Sequence, residues 1–259
     1  MLMRKGIITA LFVAAIIFSG NLAFAYVIDG SLADWGIDLF ASGADTKGYL
    51  DTNLPSGGRD IDVVTEDNAD RHTNFQYVGP GLTWKNFYDA EALYFDNNKK
   101  FAYIALVSGF PRFPDMISAT AGDIGFDING DGWYEYALRV ADFHLLSSVT
   151  DWSVPVDYPG SYPLRAIAGT DEGKMKATYS DEQNSHYVWE ARIPLKKLGL
   201  SAKHGDPIQS LKIHWTMSCG NDALDLNGDV NPASPEPATL SLLGLGLLGL
   251  LFKRKVRVS

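Results

Sequence analysis

Cysteine is almost missing from this chain: Cys219 stands alone among 259 residues. No disulfide can form within the chain, so the fold depends on its core alone. Nothing in "SCGND" poises a histidine beside that thiol or depresses its pKa, so Cys219 reads as a small buried side chain. G-x-S-x-G, H-E-x-x-H, a P-loop and a dinucleotide fingerprint are absent too. The five histidines (His72, His144, His186, His204, His214) show no metal-ligand spacing. These gaps speak against the common hydrolases and nucleotide-dependent enzymes. A glycosidase stays open, because it needs only two carboxylates at a set separation.

Long apolar runs are confined to the two ends. Arg4 and Lys5 precede an apolar stretch from Ile7 to Phe18, and Ala23 and Ala25 flank Phe24 in an A-x-A arrangement. That order is a secretory signal peptide, with cleavage expected between Ala25 and Tyr26. An uncleaved anchor is the alternative, and the stretch is short for a span. At the other end Ala238–Phe252 carries no charge and leads into Lys253, Arg254, Lys255 and Arg257. As a helix it would reach roughly 22 Å, short of the ~30 Å hydrocarbon core. A marginal span stopped by cations suits a temporary hold in the inner membrane.

"PEPATLSLLGLGLLGLLFKRK" resembles the PEP-CTERM sorting signal of Gram-negative bacteria that make exopolysaccharide. The motif residues are Pro235, Glu236 and Pro237. The resemblance implies export, transient insertion through a C-terminal transmembrane helix, and processing by exosortase. It places the product at the cell surface or in the extracellular matrix. Four segments follow: signal peptide 1–25, body 26–230, linker 231–234 and sorting signal 235–259.

Trimming both signals leaves 16 Lys and Arg against 30 Asp and Glu, a net charge of −14. Such a body disfavours nucleic acid and anionic lipid, and favours divalent cations or neutral ligands.

The body alternates β-rich runs with turns. Ala92–Phe95 and Phe101–Val107 flank Asp96, Asn97 and Asn98, and the second run is apolar on both faces, as a central strand is. "IGFDINGDGWYEYALRV" is a second hairpin, and "HYVWEARI" and "SLKIHWTM" are later strands. "PLKKLGL" is the one short helix, with Pro194 at its start and Gly199 at its stop. The stretch 42–58 reads as a long surface loop. This pattern predicts an all-β, jelly-roll-like antiparallel sandwich with one short helix, between a signal helix and a sorting helix. "IDGSLADW", "GFDINGDGWYEYAL" and "WEARIPLKKLGL", in that order, resemble family 9 carbohydrate-binding modules and DOMON-like domains. That likeness implies the same sandwich and a carbohydrate ligand.

In "DINGDGWYE", Asp127, Asn129 and Asp131 place oxygens at alternate positions of a glycine-containing loop. That spacing suits Ca²⁺, with the Trp133 carbonyl and Glu135 as further donors. Leu138 stands where an EF-hand has its bidentate Glu, so no EF-hand is expected. The alternative is a turn that uses these residues for conformation only. "DLNGD" at 225–229 repeats the spacing and reads as a solvated tail, with a second ion site as the alternative. Trp35, Trp133, Trp189 and Trp215 fall in strand or motif patterns and are expected in the core. Trp84 and Trp152 fall in loop-like sequence, with Tyr158 and Tyr162 near the second; flat rings on loops suit sugar C–H faces, and packing of the rings onto the sandwich is the alternative. The expected function is a non-catalytic surface or matrix protein that binds Ca²⁺ and exopolysaccharide. An enzyme acting on polysaccharide and a structural matrix protein without a ligand are the alternatives.

Overall fold

The computed structural model describes residues 26–39, 55, 60–65, 90–110, 120–157, 159–180, 187–220 and 222–232. Among the described residues of the compact unit Tyr26–Pro232 are eleven strands in two antiparallel sheets. Five strands form the first sheet: β1 (Asp62–Thr65), β2 (Ala90–Asn97), β3 (Phe101–Ser108), β8 (Lys176–Tyr179) and β9 (Tyr187–Pro194), in the order β1-β2-β3-β9-β8. The second contains β4 (Ile124–Asp127), β5 (Tyr136–Leu138), β6 (His144–Trp152), β7 (Ala166–Lys174), β10 (Gln209–Thr216) and β11 (Ala223–Val230). Their order is β11-β10-β4-β5-β6-β7. No helix among the described residues is long and apolar enough to cross a membrane. The expected signal and sorting helices, with Ala25, Pro235, Glu236 and Pro237, lie outside the described residues, as does nearly all of the loop expected over 42–58.

The two sheets share one core. Leu93, Phe95, Ile104 and Leu106 of the first meet Phe126, Leu145, Ile213 and Trp215 of the second, all at or near zero exposure. β3 is buried on both faces, as its sequence implies. Its Tyr103, Ala105 and Val107 face a second cluster with Tyr26, Ile28, Leu32, Trp35, Ile37 and Leu39. The outer cover of this sheet is therefore an irregular strap, residues 26–39. Tyr26 stacks on Trp35 at 4.0 Å, and Trp35 lies 6.2 Å from Tyr94.

Glu190 pins the strap. Its Oε1 accepts the Trp35 indole N–H at 2.9 Å, and its Oε2 accepts the Gly30 and Asp29 amides at 2.6 and 3.1 Å. Gly30 sits at φ +86, and a Cβ there would stand 2.9 Å from that of Ser180.

Several local expectations shift. The β2–β3 turn comes later than expected: Asp96 and Asn97 belong to β2, and Asn98 N–H bonds the Phe101 carbonyl. "PLKKLGL" contains a 3-10 turn, Leu195–Leu198, and no α-helix; Gly199 closes it at φ 71. The run 225–229 is no tail. It lies inside β11, where Leu224, Leu226 and Val230 enter the core. Asp225, Asn227 and Asp229 occupy the alternate positions, away from the core, which is why composition alone misled. β11 closes one side of the sandwich: Asp62 Oδ2 accepts the Asp229 amide at 2.7 Å, and Asn97 exchanges two bonds with the Asn231 backbone.

Candidate metal centre

Asp127 is the last residue of β4, on the sheet face away from the core, and is fully buried. Its carboxylate organises the loop beyond it. Oδ1 accepts the amides of Asn129 (3.2 Å) and Gly130 (2.6 Å), and Oδ2 accepts that of Gly132 (3.0 Å). Asn129 Oδ1 in turn accepts the Asp131 amide at 2.8 Å, and Asp131 Oδ1 accepts that of Trp133 at 2.8 Å. Gly130 and Gly132 turn the chain at φ +75 and +89 with open space around both, so the requirement there is backbone conformation. Glu135 closes the loop: Oε2 accepts the Ile128 amide at 3.0 Å and Oε1 the Asn129 side-chain amide at 2.7 Å.

One carboxylate oxygen from each of Asp127, Asp131 and Glu135 falls within 4.8 Å of the others. None of the three joins an ion pair among the described residues. Three carboxylates form an all-oxygen donor set, the kind a hard cation takes and a soft metal does not. The donors thus fit Ca²⁺. Leu138 is 2 % exposed on the core face of β5, so the ligand an EF-hand takes from that position cannot come from it. Trp133 is held by its ring, whose Nε1–H donates to the Val149 carbonyl at 2.9 Å.

The aromatic expectations are corrected in two places. Trp152 is not a loop residue. It ends β6, is 4 % exposed, packs with Ala137, Leu146 and Val149, and donates its Nε1–H to the Tyr134 carbonyl at 3.1 Å. Trp133, expected in the core, is 39 % exposed beside the acidic loop. Tyr162 is 36 % exposed, as a loop ring would be. Trp84 and Tyr158 lie outside the described residues.

Sequence reasoning missed Tyr134, the ring between these groups. It lies 6.2 Å from Trp152 and 5.7 Å from His214, over Gly125, where a Cβ would come within 3.1 Å of it. Burial first, then the negative Asp225 and Asp127, push its hydroxyl up to about 12. The bare glycine opposite it was the available signal. His214 next to it is engaged on both sides, Nδ1 against Asp225 (2.7 Å) and Nε2 against the Ser161 carbonyl (3.2 Å).

Comparison with known proteins reaches only the tail. The family model described as PEP-CTERM protein-sorting motif matches residues 235–255. No curated protein matches the chain, and no solved structure does. The likeness of the body to family 9 carbohydrate-binding modules and DOMON-like domains therefore has no support from known proteins. The tail motif implies export and processing by exosortase. This chain is an antiparallel β-sheet protein that carries a PEP-CTERM sorting motif.

Proposed function

We propose that the exported body is a Ca²⁺-binding, non-catalytic protein of the cell surface or matrix that contacts carbohydrate. The observation that carries the metal is the convergence of Asp127, Asp131 and Glu135 oxygens within 4.8 Å, with no cation side chain among the described residues paired to them. Like charges held so close repel, and a divalent ion relieves that repulsion. Among the described residues Trp133 and Tyr162 are exposed rings, and Trp152 is not.

Thermal melting with Ca²⁺ and with chelator tests the reading. A ligand that binds only the folded state stabilises it by about 2.7 kcal/mol at a hundredfold excess over Kd. Ca²⁺ should raise the melting temperature of the wild type. An identical temperature in both buffers leaves the loop as a turn.

A further inference from the structure

Cations are few in the exported body, 16 against 30 acidic residues, yet four of them gather at one place. Lys99, Lys100, Lys196 and Lys203 border a cavity of about 480 Å³ at the end of the sandwich. There the β2–β3 turn meets the connection from β9 to β10. Phe101, Leu195 and Leu200 give the cavity apolar walls. The volume falls within the roughly 300–1,000 Å³ usual for small-molecule sites.

The backbone carrying these lysines is fixed without any ligand. Asn98 Oδ1 accepts the amides of Lys100 and Phe101, both at 2.9 Å, and its own amide donates to the Tyr103 hydroxyl at 2.7 Å. The Leu195 amide donates to the Lys100 carbonyl at 2.9 Å, which ties the two halves of the rim together. Leu195, Leu198 and Leu200 are anchored in the main core. Only the flexible lysine stems remain to be ordered on binding.

None of the ion pairs among the described residues uses Lys100, Lys196 or Lys203. The nearby Asp206 accepts the Ser201 hydroxyl and the Lys203 amide, which hold its carboxyl below the usual range. Lys197 turns instead to Glu172, 3.6 Å away.

We propose that this cavity binds an anionic saccharide, the acidic sugar units of a carboxylated or sulfated polysaccharide. The inference rests on the carbohydrate part of the function proposed above, and gives it a site and a class. Several ammonium groups around one rim ask for more than one negative charge. Lysines are point charges on mobile stems, suited to spaced carboxylates or sulfates more than to one bidentate group. The apolar walls suit the C–H face of a sugar ring.

Titration calorimetry of the mature protein tests this with four probes: oligogalacturonate, a sulfated oligosaccharide, a neutral cello-oligosaccharide and phosphatidylglycerol vesicles. One or both acidic oligosaccharides should bind, and which of them does identifies the anion; the neutral sugar and the vesicles should not bind. Lys100→Ala with Lys196→Ala should weaken that binding by roughly tenfold, as loss of two partly exposed ion pairs does. The side chains of Lys100, Lys196 and Lys203 are exposed and join no ion pair among the described residues, so folding and the Ca²⁺ response should be unchanged. If that pair alters melting, Lys100→Gln with Lys203→Gln takes its place with the same expected loss. Wild-type affinity in the folded variants, failure of both acidic probes, equal binding of the neutral sugar, or binding to vesicles alone would each overturn the proposal. Because the Ca²⁺ response is measured separately, loss of the saccharide leaves the metal reading standing.

Discussion

Glu190 is 1 % exposed and receives three N–H groups, yet burial raises its carboxyl to about 7 from an ordinary value of 4.5. Asp123, which accepts the Val140 and Ala166 amides, is likewise raised by burial to about 6 from 3.8. A carboxyl with a raised pKa holds its proton more tightly folded than unfolded. Its stabilising effect is full below the unfolded value and is lost as pH rises through the folded one. For Glu190 that window runs from about 4.5 to about 7, and the change is on the order of 3 kcal/mol. The melting temperature should therefore fall between pH 5 and pH 8. Glu190→Gln should flatten that slope and lower stability by about 1–3 kcal/mol, since an amide N–H would face the donors of the strap. A melting temperature that climbs across the same range would contradict this account of Glu190.

The tryptophans show where residue-scale reading of the sequence stops. "TDWSVPVDYPGSYP" is loop-like from Ser153 onward, and Trp152 is the last residue of the strand before it. The loop reading began three residues too early, at Thr150, and could not say which way the ring turns. Trp152→Ala should cost about 3–5 kcal/mol in a denaturant titration, as a buried indole does. Trp133→Ala should cost about 1 kcal/mol, mainly its bond to Val149. Equal costs for the two would reverse the placement.

At the scale of elements, β3, β9, β10 and the β4–β5 hairpin were legible because their apolar residues alternate or run unbroken between turn residues. β7 was not, since none of its side chains is buried and two of its nine residues are glycine. What it does is positional: with β8 it carries the chain from one sheet to the other across the buried Met175. Close approaches of backbone are also invisible in one sequence. A Cβ on Gly122 would lie 2.5 Å from the Thr216 carbonyl oxygen and 2.7 Å from that of Leu164. Both obstacles are backbone, so Gly122→Ala should lower stability by about 1–3 kcal/mol, read as a shift of the urea midpoint. A midpoint at the wild-type value would show that the strands there can separate without cost.

For the whole molecule, the destination was the most legible property, because signals read by export machinery are linear in sequence. Mass spectrometry of protein from the native host should show an N-terminus at Tyr26 and no Lys253–Ser259 segment. Recovery of that intact basic segment from the matrix fraction would defeat the sorting account. Tyr26 itself is 4 % exposed and stacked on Trp35, so the body begins with a residue that is already part of its packing. Binding sites were less legible, since they depend on which loops converge. "NNKK" and "PLKK" are visible as lysine pairs, but nothing linear brings Lys100 beside Lys196. The acidic loop is the exception, because its donors come from nine consecutive residues, 127–135.

That loop is the centre of the functional account, and Asp131 is its sharpest probe. Asp127 holds three backbone amides, so replacing it would disturb the turn whether or not an ion binds. Asp131 is exposed, and its Oδ1 accepts only the Trp133 amide, a bond that an asparagine can keep. Calorimetric titration of Ca²⁺ into the mature protein, wild type beside Asp131→Asn, is the direct measurement. The account predicts one ion per chain in the wild type and an affinity at least tenfold weaker in the variant, with the melting temperature in chelator unchanged. No heat of binding in the wild type, or equal affinity in the two proteins, would contradict it.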